Sequence, residues 1–172
     1  MQKLLISCLA VALFFFSACN SAPATTQAQA TPAKPAAVSL NDKVPASYPK
    51  DALHKAANQG DEALVAKILK TKPDPDARDS YGGTALHAAM FQGNIKIVQM
   101  LINYGLDVNA IGSKNGYTPL HDAVWANNAA AARELLAHGA NTGIKGKDGL
   151  TPLEKARQEG KTELIKVLET GK

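Results

Sequence analysis

This chain repeats itself at a fixed interval. The stretch Thr118-Pro119-Leu120-His121-Asp122-Ala123 has counterparts upstream in Thr84-Ala85-Leu86-His87 and Asp51-Ala52-Leu53-His54, and downstream in Thr151-Pro152-Leu153-Glu154. His54, His87, His121 and Glu154 are spaced by 33, 34 and 33 residues. A unit of that size is one supersecondary element, too small to bury its apolar face alone, so successive copies must stack and share a core. Few architectures satisfy that condition.

Within each copy the residue types predict a turn, a helix, a tight turn, a second helix and a loop. Thr84, Thr118, Thr151 and, in the first copy, Asp51 stand where a helix N-terminus wants a side-chain oxygen. Pro119 and Pro152 follow at the first helical position, where a missing N–H costs nothing. Gly60, Gly93, Asn127 and Gly160 end the short helices, the set expected of a left-handed position. The second helices carry the apolar stripe: Leu64, Val65, Ile68 and Leu69, then Ile95, Ile97, Val98, Leu101 and Ile102. The third copy has Ala129 to Ala132 with Leu135 and Leu136, and the fourth sets Leu164, Ile165, Val167 and Leu168 among charged residues. One extra residue in the loop from Ile111 to Gly116 accounts for the interval of 34.

A T-P-L-H-x-A core at this period resembles the ankyrin-repeat family, over about residues 48–172. The resemblance implies an all-α solenoid of stacked helix-turn-helix units with β-hairpin loops. Its four copies run over about 48–80, 81–114, 115–147 and 148–172. The resemblance further implies that His54, His87 and His121 hydrogen-bond within and between copies. It also implies that the Asp74-Pro75-Asp76-Ala77 and Asp107-Val108-Asn109-Ala110 stretches satisfy backbone groups at the loop roots.

The N-terminal end is of another kind. Lys3 gives a short basic start, and Leu4 to Phe16 form an apolar run of signal-peptide length, too short for a spanning helix. Ser17 and Ala18 immediately before Cys19 resemble the lipobox of a bacterial lipoprotein, with Phe16 where that family usually carries leucine. The resemblance implies a signal peptide over residues 1–18, lipidation of Cys19 and an acyl-anchored linker over 19–47. Several acyl chains on one residue meet the requirement for stable anchoring. Two alternatives stand beside it: a cut before Cys8, and Cys19 as an ordinary apolar residue ending a signal. The linker is rich in Ala, Pro, Thr and Gln, and lacks the apolar surface to offset its ordering entropy. Asn20 stands where lipoproteins held at the inner membrane typically carry Asp. The expectation is a lipoprotein facing the periplasm, at the outer rather than the inner membrane.

Chemistry is constrained by what the copies contain. The two cysteines, Cys8 and Cys19, both precede the repeats, which therefore need no disulfide and offer no thiolate. His54, His87 and His121 fall on successive stacked helices about 8–10 Å apart. That is too far for ligands that each reach about 2 Å to one zinc. No Ser-His-Asp set, phosphate loop, HExxH or CxxC is present. Lys145-Gly146-Lys147-Asp148-Gly149, glycine-rich and basic, is a loop tip of the repeat. A formal net charge of +4, lowered by one if Lys3 leaves with the signal, is too mild to argue for nucleic acid. The expectation is a non-catalytic monomer with no cofactor and a protein partner.

Aromatic residues point to where that partner sits. Outside the signal there are six: Tyr48, Tyr81, Phe91, Tyr104, Tyr117 and Trp125. Phe91 and Trp125 both fall seven positions after the copy's threonine, and Tyr81 and Tyr117 lie in loop tips. By the ankyrin resemblance both places face a concave groove. Gln92, Ile111 and Lys145, at a helix end and in the loops, complete the candidate partner-binding set. Exposed aromatics clustered at a centre are hot-spot material. The equivalents in the end copies, Asn58 and Gln158, are polar, which suits a rim. The alternative is that Phe91 and Trp125 fold under a neighbouring loop as satellite core. The resemblance admits two more specific roles for such a groove: an immunity or inhibitor protein against a periplasmic toxin or hydrolase, or a helper in oxidative-stress defence linked to catalase.

Overall fold

A computed structural model describes residues 48–171. Cys19, the signal and the whole of the linker over 19–47 lie outside the described residues. Eight helices follow in pairs: α1 Ala52–Gln59 with α2 Glu62–Leu69, α3 Ala85–Ala89 with α4 Ile95–Tyr104, α5 Pro119–Trp125 with α6 Ala129–Ala137, and α7 Pro152–Gln158 with α8 Thr162–Thr170. Odd-numbered helices pack in one layer and even-numbered helices in a second. The architecture is the all-α solenoid expected from the period. The β-hairpins expected in the loops are tight turns: no strand is formed among the described residues. Gly112 N–H donates to the Tyr117 carbonyl at 2.7 Å and Gly146 N–H to that of Leu150 at 2.9 Å, closing two of these loops.

The shared core lies between the layers. Leu53, Leu86 and Leu120 from the first helices are buried against Val65, Ile68, Ile97, Val98, Leu101 and Leu135 from the second. Each such side chain contributes about 1.5–3 kcal/mol over its exposed state. Ala131 and Ala132 of α6 are fully buried, so their small size lets α6 lie close to its neighbours. The short helices end where the residue types require. Asn127, the one non-glycine among those stops, adopts φ 54, and Gly60, Gly93 and Gly160 share the left-handed region.

Capping differs between copies in a way that builds a ladder. In the fourth copy Thr151 Oγ1 accepts from Glu154 N–H at 3.3 Å, and Glu154 Oε2 accepts from Thr151 N–H at 2.8 Å. That is a capping box. In the middle copies histidine replaces the acid. The Thr84 N–H reaches His87 Nδ1 at 3.1 Å, and the Thr118 N–H reaches His121 Nδ1 at 3.2 Å. Nδ1 therefore accepts, the proton sits on Nε2, and Nε2–H donates across to the next loop. It finds the Tyr117 carbonyl from His87 and the Leu150 carbonyl from His121, each at 3.1 Å. Burial lowers the pKa of both histidines and favours this neutral tautomer.

The first copy departs from the pattern. Asp51 occupies the N-cap position of α1 with φ −95 and ψ 1 and accepts no capping hydrogen bond. Its carboxylate pairs with Lys55 at 2.7 Å instead. His54 still reaches the Ala77 carbonyl at 3.0 Å, but its buried Nδ1 has no partner among the described residues. The loop roots are satisfied as expected: Asn109 N–H donates to Asp107 Oδ1 at 2.8 Å, and Asn109 Oδ1 accepts from Asn141 N–H at 2.7 Å.

Candidate functional site

The first helices and the loop tips enclose a concave cavity of about 540 Å³ on the face away from the second helices. Tyr81, Phe91 and Trp125 line it with Ala88, Asp79 and Asp122. The aromatics face solvent: Tyr81 is 77 %, Trp125 60 % and Phe91 41 % exposed, which rules out the satellite-core alternative. Phe91 and Trp125 meet edge to face, with centroids 5.4 Å apart and planes at 80°. This is a favoured aromatic geometry, and it leaves one face of the pair open.

The backbone beneath the pair is held by the following copies. Asn128 Nδ2 donates to the Met90 carbonyl at 3.0 Å, just before Phe91. Lys161 Nζ donates to the Val124 and Trp125 carbonyls at 2.6 and 2.8 Å. These three bonds fall on carbonyls at the helix ends, where intrahelical donors run out. The two rings thus sit on fixed mounts, and that fixity lowers the ordering cost of binding.

The remaining members of the expected set are placed differently. Tyr117 does not line the cavity: it is half-buried in the joint between the third and fourth copies. Its ring stacks on His121 at 5.0 Å with planes 6° apart, and its hydroxyl donates to Asp148 Oδ2 at 2.6 Å. Lys155 Nζ donates to the same hydroxyl at 2.7 Å. Gly146 makes room for the ring, since a Cβ there would lie 2.5 Å from Tyr117 Cε1. The expectation of a groove-rim Tyr117 is therefore corrected. Gln92, Ile111 and Lys145 are exposed but stand outside the cavity wall. Gln92 lies beside Gly60 of the preceding copy. Lys114 Nζ stands 5.6 Å over the Tyr81 ring.

Sequence reasoning missed Asp122. It is 9 % exposed, lines the cavity, and has no hydrogen bond to its carboxyl among the described residues. Burial, reinforced by the charge of Asp79, raises its pKa to about 7. Asp79 itself accepts the backbone N–H groups of Tyr81 and Gly83 at 2.9 and 3.0 Å. The signal lay in the fifth position of the repeated core, which holds Lys55, Ala88, Asp122 and Lys155 in turn. Only one copy places an acid there. Among the described residues no cluster of metal-ligating side chains occurs, and no helix is long and apolar enough to cross a membrane.

Comparison with known proteins agrees with this architecture. The family model for ankyrin repeats (three copies) matches residues 16–112 and 53–146. The chain is 36 % identical over 120 residues to the nuclear factor NF-kappa-B p105 subunit of Gallus gallus, covering 67 % of this chain and 12 % of that protein. It is 34 % identical over 114 residues to the ankyrin repeat protein YahD of Escherichia coli (strain K12), covering 63 % of this chain and 56 % of YahD. Against the RelA-associated inhibitor of Mus musculus it is 39 % identical over 101 residues, 58 % of this chain and 12 % of that protein. The chain thus spans well under two thirds of the length of these relatives. Four stacked helix pairs, the threonine–histidine ladder and the family match agree: the chain belongs to the ankyrin-repeat family, whose domains typically mediate protein–protein interaction without catalysis.

Proposed function

We propose that the protein is an exported lipoprotein that binds a partner protein in the groove of its middle repeats and performs no chemistry on it. The observation that carries the groove is the exposed, edge-to-face pair of Phe91 and Trp125 on hydrogen-bonded mounts. Solvent-exposed aromatics at the centre of a concave face are what a partner's side chains bury most favourably. The anchor rests on Ser17, Ala18 and Cys19 after an apolar run, and Asn20 favours the outer membrane facing the periplasm.

Two measurements test this. Photo-crosslinking in envelope extract, with the wild-type chain and Trp125→Ala compared, should give a partner band that the variant loses. Binding of that partner should weaken by about 2 kcal/mol, roughly thirtyfold, while the thermal midpoint stays put. A variant that binds as wild type would remove the groove from the reading. For the anchor, Cys19→Ser should abolish incorporation of a fatty-acid analogue and leave the precursor uncut. Normal maturation of that variant would refute lipidation at Cys19.

A further inference from the structure

We propose that the groove takes a lysine or arginine side chain of the partner, seated on Asp122 and Asp79 and flanked by Phe91 and Trp125. This rests on the groove reading above and adds the chemistry of what enters it. Asp122, a residue only 9 % exposed, lines the cavity and takes no hydrogen bond to its carboxyl from the described residues. Such a group is costly to bury unless a donor or cation satisfies it. Lys114 stands over the Tyr81 ring at the rim, and the protein's other cations nearby are engaged elsewhere. At the equivalent position of other copies, Lys55 pairs with Asp51 and Lys155 with Tyr117 and Asp148. Arg78 donates to the Gly82 and Ile111 carbonyls, and Lys161 to those of Val124 and Trp125.

The space in front of Asp122 also has the right character. Ala88 holds the same position in the preceding copy, and its short side chain leaves the cavity open there. Both Phe91 and Trp125 line that cavity, and a cation is attracted to aromatic faces. Asp79 supplies a second negative charge. A side-chain cation relieves the repulsion between the two acids, gives Asp122 its missing donor, and buries its methylenes on the rings. Binding should strengthen as pH rises and Asp122 loses its proton. The other titratable groups on the cavity wall are Asp51, Lys55, His54, His87 and the Tyr81 phenol. The first two are paired with each other, and each histidine uses Nε2 on a backbone carbonyl.

The test uses the full chain in detergent micelles and four probes. These are acetyl-Ala-Ala-Arg-Ala-Ala-amide, its lysine and citrulline counterparts, and spermidine. Nuclear magnetic resonance follows the Trp125 indole N–H and the Asp122 carboxyl carbon. The arginine and lysine peptides should shift both signals and bind about tenfold or more tightly than the neutral citrulline peptide. Asp122→Asn should erase that preference and leave the weak citrulline response intact. Equal binding of arginine and citrulline peptides, with Trp125 still perturbed, overturns the cation assignment and spares the groove. Perturbation of Asp122 without Trp125 overturns the aromatic flank. No response at Trp125 to any peptide at about 10 mM overturns both readings. Spermidine binding more tightly than either peptide replaces a partner's side chain with a free polyamine.

Discussion

Replacing His121 with alanine should cost about 3–5 kcal/mol of unfolding free energy, the largest loss expected from any single polar side chain here. The ring is fully buried and serves three neighbours. Its Nδ1 takes the Thr118 N–H and its Nε2–H holds the Leu150 carbonyl, while its face carries Tyr117. Truncation strands two backbone groups and opens a cavity under an aromatic ring. His54→Ala is the internal control. It breaks one hydrogen bond, to Ala77, and removes an Nδ1 that already lacks a partner. Its cost should be smaller by about 1–3 kcal/mol, the cost of one more stranded group. Urea unfolding followed by circular dichroism checks both, and equal losses at the two sites would refute the ladder. Because stability in stacked repeats is a sum of copies and their joints, hydrogen exchange in His121→Ala should rise first in the fourth copy.

Asp122→Asn should make the protein more stable at pH 8, by about 2–4 kcal/mol, with no gain near pH 3. The folded carboxyl titrates at about 7 against the ordinary value of 3.8. Below about pH 4 the acid is protonated in both the folded and unfolded states and contributes no pH dependence. Between 3.8 and 7 the unfolded chain has lost the proton while the folded chain keeps it, so stability falls as pH rises. Above 7 the folded chain ionises too and the loss is complete. The buried histidines work the other way: with lowered folded pKa values, His87 and His121 remove stability as pH falls below 6.5. Taking the difference between wild type and Asp122→Asn cancels their contribution and isolates the acid. Guanidinium unfolding at pH 3, 5.5 and 8 measures it. A difference that stays flat with pH would mean Asp122 titrates as an ordinary surface carboxyl. A residue whose charge costs stability in the free protein is suited to a ligand that brings the opposite charge.

Much of the fold was legible because it depends on short-range rules repeated four times. The helix stops at Gly60, Gly93, Asn127 and Gly160 and the proline starts at Pro119 and Pro152 are local backbone chemistry. The exposure of Phe91 and Trp125 is what the ankyrin resemblance implies for their shared position, against the alternative of satellite core. What escaped depends on the exact residues that individual side chains meet in the folded chain. Tyr117 looks like a loop-tip contact residue until Gly146, in the loop that leads to the fourth copy, lets its ring lie flat against His121. Asp51 is a good capping residue by type, yet Lys55 one turn on captures its carboxylate. Asp122 sits inside the repeated motif itself, at the one position whose residue type changes at every step from copy to copy.

The histidine hooks also bear on how such an array can gain or lose copies by recombination. A duplicated third copy would bring its own Thr118–His121 pair, so both the insert and the original fourth copy would be latched at the joint that precedes them. A duplicated fourth copy would not. Glu154 spends its side chain on Thr151's own N–H and hydroxyl and reaches no later carbonyl among the described residues. A joint made after the fourth copy would therefore lack the latch that the middle copies carry, and Glu154→His is the substitution that would supply it.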